Sequence, residues 1–218
     1  MTERIPGLFV TGSDTGVGKS VAAAWLAGHL NARYWKPVQS GLEEESDSML
    51  VARLAGMEAG SVFPETYRLN APLSPHESAR RDGVEIRLEA FRLPDAGDAP
   101  LVVEGAGGVL VPLNARDKMV DLMVRLALPV VVVARTALGT INHTLLTLEA
   151  LRHRKLEVIG VILSGPPNRV NREAIVGFGG VELLAELPWL DPLDRERLAA
   201  VAPWDGVAWE RLRRRLGR

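Results

Sequence analysis

Short apolar runs alternate with stretches of helical period along most of this chain. The first apolar run is 8–11, and a helical pattern follows from Lys19 to about Leu30. Residues 33–38, 101–104, 129–134 and 158–163 read as further strands. Their nearly continuous apolar character is what a parallel sheet covered on both faces requires. Helical patterns at 118–126 and 140–152 sit between them. The alternation predicts an α/β fold with a doubly wound, mostly parallel sheet flanked by helices, in a single domain over 1–218. The least regular region is 39–100, where the acidic run Glu43, Glu44 and Glu45 reads as a solvated loop. Near the C-terminus, Trp209, Leu212 and Leu216 share one helical face among arginines. Three apolar residues are little for a membrane anchor, so this stripe is expected to dock on the domain.

Composition narrows the function. A chain of 218 residues buries a sizeable core without staples. Its 26 basic and 27 acidic side chains leave a net charge of -1, which removes any general electrostatic reason to bind nucleic acid or an anionic membrane. With no cysteine, disulfides, thiolate nucleophiles and cysteine metal sites are excluded. The longest apolar run, 126–134, has nine residues, against about 20 for a membrane span. The opening MTERIPG carries acid and proline where a secretory leader needs an apolar stretch. Together these features point to a cytoplasmic protein.

The strongest motif is Gly12-Ser13-Asp14-Thr15-Gly16-Val17-Gly18-Lys19-Ser20, which follows a strand and opens a helix. Glycines let successive N–H groups turn toward phosphate oxygens, and the helix adds its positive N-terminal end. Lys19 reaches the β and γ phosphates, and the Ser20 hydroxyl suits Mg²⁺. Five residues separate Gly12 from Gly18 where the common pattern has four. Two more segments end strands, where open α/β sheets bind ligands. Lys36 closes one, with Pro37 fixing the exit, and is a candidate clamp on a transferring phosphoryl group. Glu104 closes the other, ahead of Gly105, Ala106 and Gly107, which let the backbone approach. A carboxylate at the end of an apolar strand is costly unless paired or bound to a metal.

In that order, GSDTGVGKS, KPVQSG, SPHESA, EGAGG, LGTINH and ELPWL closely resemble the dethiobiotin synthases over about residues 8–190, the five-residue loop spacing included. The resemblance implies a P-loop NTPase fold and a homodimeric enzyme of biotin synthesis. Such an enzyme uses ATP and Mg²⁺ to carboxylate 7,8-diaminononanoate with CO2 and close a cyclic urea, through an N-carbamate and its mixed anhydride with phosphate. It casts Lys19 and the backbone of Gly16, Val17, Gly18, Ser20 and Val21 as the triphosphate cradle. Ser20, Asp47 and Glu104 become Mg²⁺ ligands, with Asp47 aligned only through Ser46-Asp47. Thr15 falls near substrate and phosphate, Lys36 becomes the catalytic lysine and Ser40 a substrate contact. Gly139, Thr140 and Asn142 correspond to the segment that binds the substrate carboxylate from the neighbouring subunit, which suits a helix start with free N–H groups.

Two positions depart from the pattern. Many P-loop relatives place Asn where Ser164 stands, and its amide reads the adenine edge; a serine hydroxyl cannot make that two-point contact. Ser164 and the backbone at Leu187, Pro188 and Trp189 are then what meets the base, which leaves nucleotide preference open. Gly16 replaces a glutamate found in some members. The histidines show no metal-ligand spacing: His29 and His153 read as surface residues, His76 is open between pocket wall and surface, and His143 reads as helix packing. The rival reading is a positioning ATPase of the chromosome-partition or septum-site type. Such proteins carry a lysine early in the loop, where this chain has Ser13-Asp14-Thr15, and need an anchor that only the C-terminal helix resembles. A cobalamin-type amidotransferase synthetase would need a cysteine nucleophile.

Overall fold

The computed structural model describes residues 6–217, so the opening segment weighed above as a leader lies largely outside the described residues. Strand β1 (Gly7–Gly12) is buried at every position. It is followed by α1 (Lys19–Leu30), β2 (Arg33–Trp35), β3 (Val38–Ser40), α2 (Asp47–Ala55), β4 (Val62–Phe63), β5 (Tyr67–Leu69) and α3 (Pro75–Asp82). The second half runs β6 (Leu101–Gly108), α4 (Met119–Leu126), β7 (Val130–Arg135), α5 (Thr140–His153), β8 (Val158–Ser164), α6 (Arg169–Gly179), β9 (Leu183–Leu187), α7 (Arg195–Ala199) and α8 (Gly206–Arg215). Seven strands form one sheet in the order β4-β2-β6-β1-β7-β8-β9, with every pairing parallel.

Alternate strand residues feed two cores. Phe9, Val103, Val130 and Val132 meet Leu122 and Met123 of α4, Leu148 and Leu151 of α5 and Ile175 of α6. Val10, Val102, Val131 and Val133 meet the alanine-rich face of α1, Val51 and Leu54 of α2, Leu198 of α7 and Leu212 of α8. Cover on both faces is the reason these strands are continuously apolar. The docking expectation for the C-terminus holds: Leu212 is fully buried, and the Trp209 ring lies 5.2 Å from that of Trp25. His29 is half-buried: its ring lies 4.5 Å from that of Trp25, tilted against it, and meets Trp209 edge-on.

Two further expectations change. The strand expected over 33–38 is two, broken at Lys36-Pro37. Proline has no N–H for a central ladder. The Pro37 carbonyl instead accepts from the N–H groups of Thr66 and Tyr67 and starts a small parallel ribbon of β3 and β5. The irregular region also contains α2 and α3. Ser46 caps α2 by accepting from the Met49 N–H, and Gly56 closes it at φ +61°. Glu43, Glu44 and Glu45 are exposed, as expected of a solvated run.

Truncating Leu212 to alanine in the buried seam should cost about 2–5 kcal/mol in urea unfolding. The same change at Val170, which is 73% exposed, should cost no more than about 0.5 kcal/mol. Equal costs would mean that α8 is not docked.

Candidate active site

The site begins where β1 stops. Gly18 takes φ +88°, in the left-handed region, and a Cβ there would lie 2.5 Å from Ser164 Oγ, so only glycine fits. No side chain caps α1. Its first N–H groups are therefore free to meet an anion in front of the loop. Lys19 is buried, and its Nζ donates to Asp14 O at 3.2 Å. Burial lowers the Lys19 pKa, and Lys36 lowers it further against the opposing pull of Glu104 and Asp47.

Facing the loop is a charged cluster held by two neighbouring strands, β2 with its exit and β6, and by the starts of α1 and α2. Glu104 on β6 is completely buried, yet both its oxygens are paired. Lys36 Nζ lies 2.9 Å from Oε1, which Ser20 Oγ also approaches at 2.9 Å, and the Tyr34 hydroxyl donates to Oε2 at 2.8 Å. Asp47, the first residue of α2, completes the group: its Oδ2 lies 2.6 Å from Lys36 Nζ, and its Oδ1 accepts from Ser20 Oγ at 2.7 Å. Burial alone would lower the Lys36 pKa, but Glu104 and Asp47 outweigh it and hold it above the ordinary lysine value. Burial would likewise raise Asp47, and the charge and hydrogen bonds of Lys36 reverse that. Tyr34, which the motifs did not flag, is pushed well up by burial and by Glu104. It stands two residues before Lys36, and residues two apart in an extended segment share a face.

A cavity of about 710 Å³ collects most of the expected residues. Thr15, Gly16, Gly18, Lys19, Ser20 and Val21 line one side. Lys36, Ser40, Asp47, Glu104, Ala106 and Gly107 line the other. The Ser40 hydroxyl is buried and has no protein partner. Val17 turns its side chain into the core, and Gly105 sits against the Phe9 ring, 2.8 Å from where its Cβ would be, so each can offer only backbone. A second, more apolar cavity of about 430 Å³ continues from Thr15 past Leu110, Val111, Pro112 and Leu146. His143 lines it 4.0 Å from Asp14, rather than packing inside the helix bundle. His76 is exposed and lines neither cavity.

Gly139, Thr140 and Asn142 line neither cavity of their own chain. The Thr140 side chain is buried, and its hydroxyl is spent on Arg135 O at 2.5 Å. What this turn offers a ligand is the α5 N–H groups and the exposed Asn142. Ser164, Leu187, Pro188 and Trp189 lie across the phosphate loop from the charged cluster, at the ends of β8 and β9.

The family model described as an AAA domain matches residues 6–197. The ATP-dependent dethiobiotin synthetase of Bradyrhizobium diazoefficiens is 52% identical over 193 residues, covering 88% of this chain and 92% of that one. The corresponding enzyme of Brucella ovis is 54% identical over 191 residues, covering 88% and 90%. The chain belongs to the dethiobiotin synthetase family. Solved structures add the fold alone. A ParA family ATPase from Chlorobium tepidum superposes with a TM-score of 0.55 at 12% identity, covering 97% of each chain. The signal recognition particle receptor FtsY of Elizabethkingia anophelis gives 0.55 at 13%, and this chain spans 65% of its length. The chain thus shares the P-loop NTPase fold with these proteins, while the sequence likeness lies with the synthetases.

Replacing Lys36 by methionine should strand two carboxylates and cost about 3 kcal/mol or more at neutral pH. Asp47 is held below its ordinary 3.8, so its contribution is present above that value and lost as the pH falls through the lowered one. Lys36 is held above 10.5, so its contribution is present below that value and lost as the pH rises through the raised one. The stability gap between parent and Lys36→Met should therefore be widest between about pH 4 and pH 10 and narrow at either end. Urea midpoints across that range would show it, and a pH-independent gap would rule the ion pairs out as its source.

Proposed function

We propose that this chain, as a single α/β domain over 1–218 in the cytoplasm, uses ATP to carboxylate 7,8-diaminononanoate with CO2 and close the dethiobiotin ring. The observation that carries the reading is one cavity in which Lys19 and Lys36 face each other across Ser20, Asp47 and Glu104. Membership of the synthetase family gives that chemistry its substrate.

Ser20, Asp47 and Glu104 suit Mg²⁺. All three donors are hard oxygens. Ser20 Oγ lies 2.7 and 2.9 Å from the two carboxylate oxygens, close to the ~3 Å between adjacent ligands of an octahedral ion with ~2.1 Å bonds. Among the described residues no three His, Asp or Glu gather as a metal cage. Mg²⁺ is commonly held by one or two carboxylates together with substrate phosphates. Bound there, Mg²⁺ supplies neutralisation of the phosphate charge.

The residues divide the remaining work. Lys19 and the first N–H groups of α1 hold the triphosphate, with Thr15 at its edge. Lys36, its charge fixed by two carboxylates, brings the anionic carbamate and the γ-phosphoryl group together. A carbamate oxygen attacks phosphorus and ADP departs. The second amine then attacks the carbamate carbon, phosphate departs, and the ring closes. The carbamate is already anionic and needs no general base. The amine must be neutral to attack CO2, and the two lysine charges lower its pKa from near ~10.

The substrate is long and amphiphilic, and the apolar second cavity gives its alkyl chain a path past Leu110 and Leu146. Its carboxylate is assigned to Gly139, Asn142 and the α5 N–H groups of a second copy. The exposed apolar side chains Leu110, Leu138 and Leu146 beside the site support a homodimer. Neither nucleic acid nor membrane is a partner in this reading. Among the described residues no helix is long and apolar enough to cross a membrane.

Release of ADP in the presence of Mg²⁺ and bicarbonate should depend on the diamine; equal release without it would favour a switch ATPase. Lys36→Gln should lower turnover by about 10²–10³-fold and also abolish carbamate formation seen by ¹³CO2 NMR. A normal carbamate signal would remove Lys36 from the first step. Separately, Leu138→Arg, which lies outside both cavities, should yield monomers in sedimentation that bind nucleotide normally but no longer bind the diamine. Full diamine binding by such monomers would place the carboxylate site within one chain.

A further inference from the structure

A buried phenol stands behind the charged cluster, and neither phosphate binding nor phosphoryl transfer uses it. Tyr34 lies on β2 between two other strands. It pairs with Val62 of β4 on one side and Val102 of β6 on the other, and its N–H donates to Ser61 O at 2.9 Å. The ring is completely buried in the core that α1 covers. Tyrosine has few side-chain torsions, so a ring held this way puts its oxygen in one place. That place is 2.8 Å from Glu104 Oε2. A hydroxyl this deep is costly without a partner, and an ionised carboxylate can only accept, so the phenol donates.

This hydrogen bond decides which oxygen Glu104 has to spend. Oε1 faces Ser20 Oγ and Lys36 Nζ, each at 2.9 Å, while Oε2 is turned back to the phenol. Asp47 is arranged in the same way. Its Oδ1 faces Ser20 Oγ at 2.7 Å, and its Oδ2 is held by Lys36 Nζ at 2.6 Å. Each acid thus turns one oxygen toward Ser20 and keeps the other on a buried donor. Divalent cations differ in what they ask of such acids. Ca²⁺ accepts many oxygens in flexible geometry and often takes both from one carboxylate. The smaller Mg²⁺ demands near-octahedral order, which the narrow bite of a two-oxygen carboxylate disturbs.

We propose that Tyr34 is a positioning residue: it restricts Glu104 to one oxygen toward a bound divalent cation, and the site thereby prefers Mg²⁺ to Ca²⁺. The proposal rests on the metal-dependent reading of this cavity and deepens it. Mn²⁺ bound to the full chain with a non-hydrolysable ATP analogue can be followed by electron paramagnetic resonance. Its displacement by Mg²⁺ or by Ca²⁺ yields both dissociation constants without turnover. The parent should hold Mg²⁺ more tightly than Ca²⁺. Tyr34→Phe should weaken Mg²⁺ by about 10- to 100-fold, the range for losing a partner that orients a metal ligand, and Ca²⁺ by no more than about threefold. In a Glu104→Gln background the same change should leave the Mg²⁺-to-Ca²⁺ ratio where Glu104→Gln alone puts it, because no second carboxylate oxygen is left to release. A parent without preference for Mg²⁺, an equal loss of both ions in Tyr34→Phe, no loss of either, or the same further shift in the Glu104→Gln background would each overturn the proposal. Failure of the reading beneath it looks different: Glu104→Gln then leaves both ion affinities unchanged while the analogue still binds.

Discussion

A completely buried carboxylate organises this molecule. Glu104 lies within a central strand, which runs on to Gly108 where the sequence pattern ends it at 104, with no water to solvate it, and an isolated charge there is not tolerable. Three protein groups meet the need. Lys36 supplies the opposite charge, Ser20 approaches the same oxygen, and Tyr34 donates to the other. Tyr34 and Lys36 come from β2 and its exit and Ser20 from α1, so the cluster exists only if α1, β2 and β6 are assembled correctly. Asp47 then joins through Lys36 and Ser20 and brings the start of α2 with it. Fold and site share one electrostatic condition, and a buried pair of this kind is sensitive to the loss of either partner.

Sheet order turns that condition into a working geometry. The strand after α1 does not pair with β1, because β6 lies between them. Tyr34 and Lys36 therefore reach Glu104 from one neighbouring strand while the phosphate loop reaches it from the other. Past β1 in the opposite direction, β7, β8 and β9 carry no such charge at their ends beyond the half-exposed Arg135 and the Glu186–Arg172 pair. The reversal of strand order separates a polar half, where phosphoryl chemistry belongs, from a half where Trp189 lies exposed just past the end of β9. Structures that share only the fold have the loop and the sheet, but a fold does not specify what its strand ends carry.

Much of this was legible in the sequence. The strands of the main sheet other than its two edges, β4 and β9, announced themselves because burial on both faces leaves little room for polar residues. The phosphate loop did so because glycine and lysine at fixed spacing have few other uses. Other features were hidden for physical reasons. The run from Arg33 to Val38 is apolar enough for one strand, and only the missing N–H of Pro37 divides it. Helices α2 and α3 are short and mostly polar outside, so their period is weak. Their caps were the usable signal: Ser46 with Gly56, and Ser74-Pro75 with Gly83. Tyr34 escaped notice because a tyrosine in a strand usually packs, and its hydroxyl becomes informative only beside Glu104. The buried hydroxyl of Thr140 shows the converse, since a motif fixes where a residue sits and not which of its groups is free.

The two lysines illustrate how burial sets different tasks for the same side chain. Lys36 is surrounded by acids that more than offset its desolvation, so its charge is fixed before any ligand arrives. Lys19 is nearly as buried, but its hydrogen bond is to a loop carbonyl rather than a carboxylate, and its pKa is lowered. A charge held short of compensation gains most from an arriving anion. A triphosphate beside Lys19 relieves a desolvation penalty already incurred in folding, and that relief appears as binding free energy. Lys36 has no such deficit and contributes little to holding a ground-state ligand. Its pull grows as negative charge gathers between carbamate and phosphoryl group, which is when stabilisation accelerates the reaction instead of tightening the resting complex.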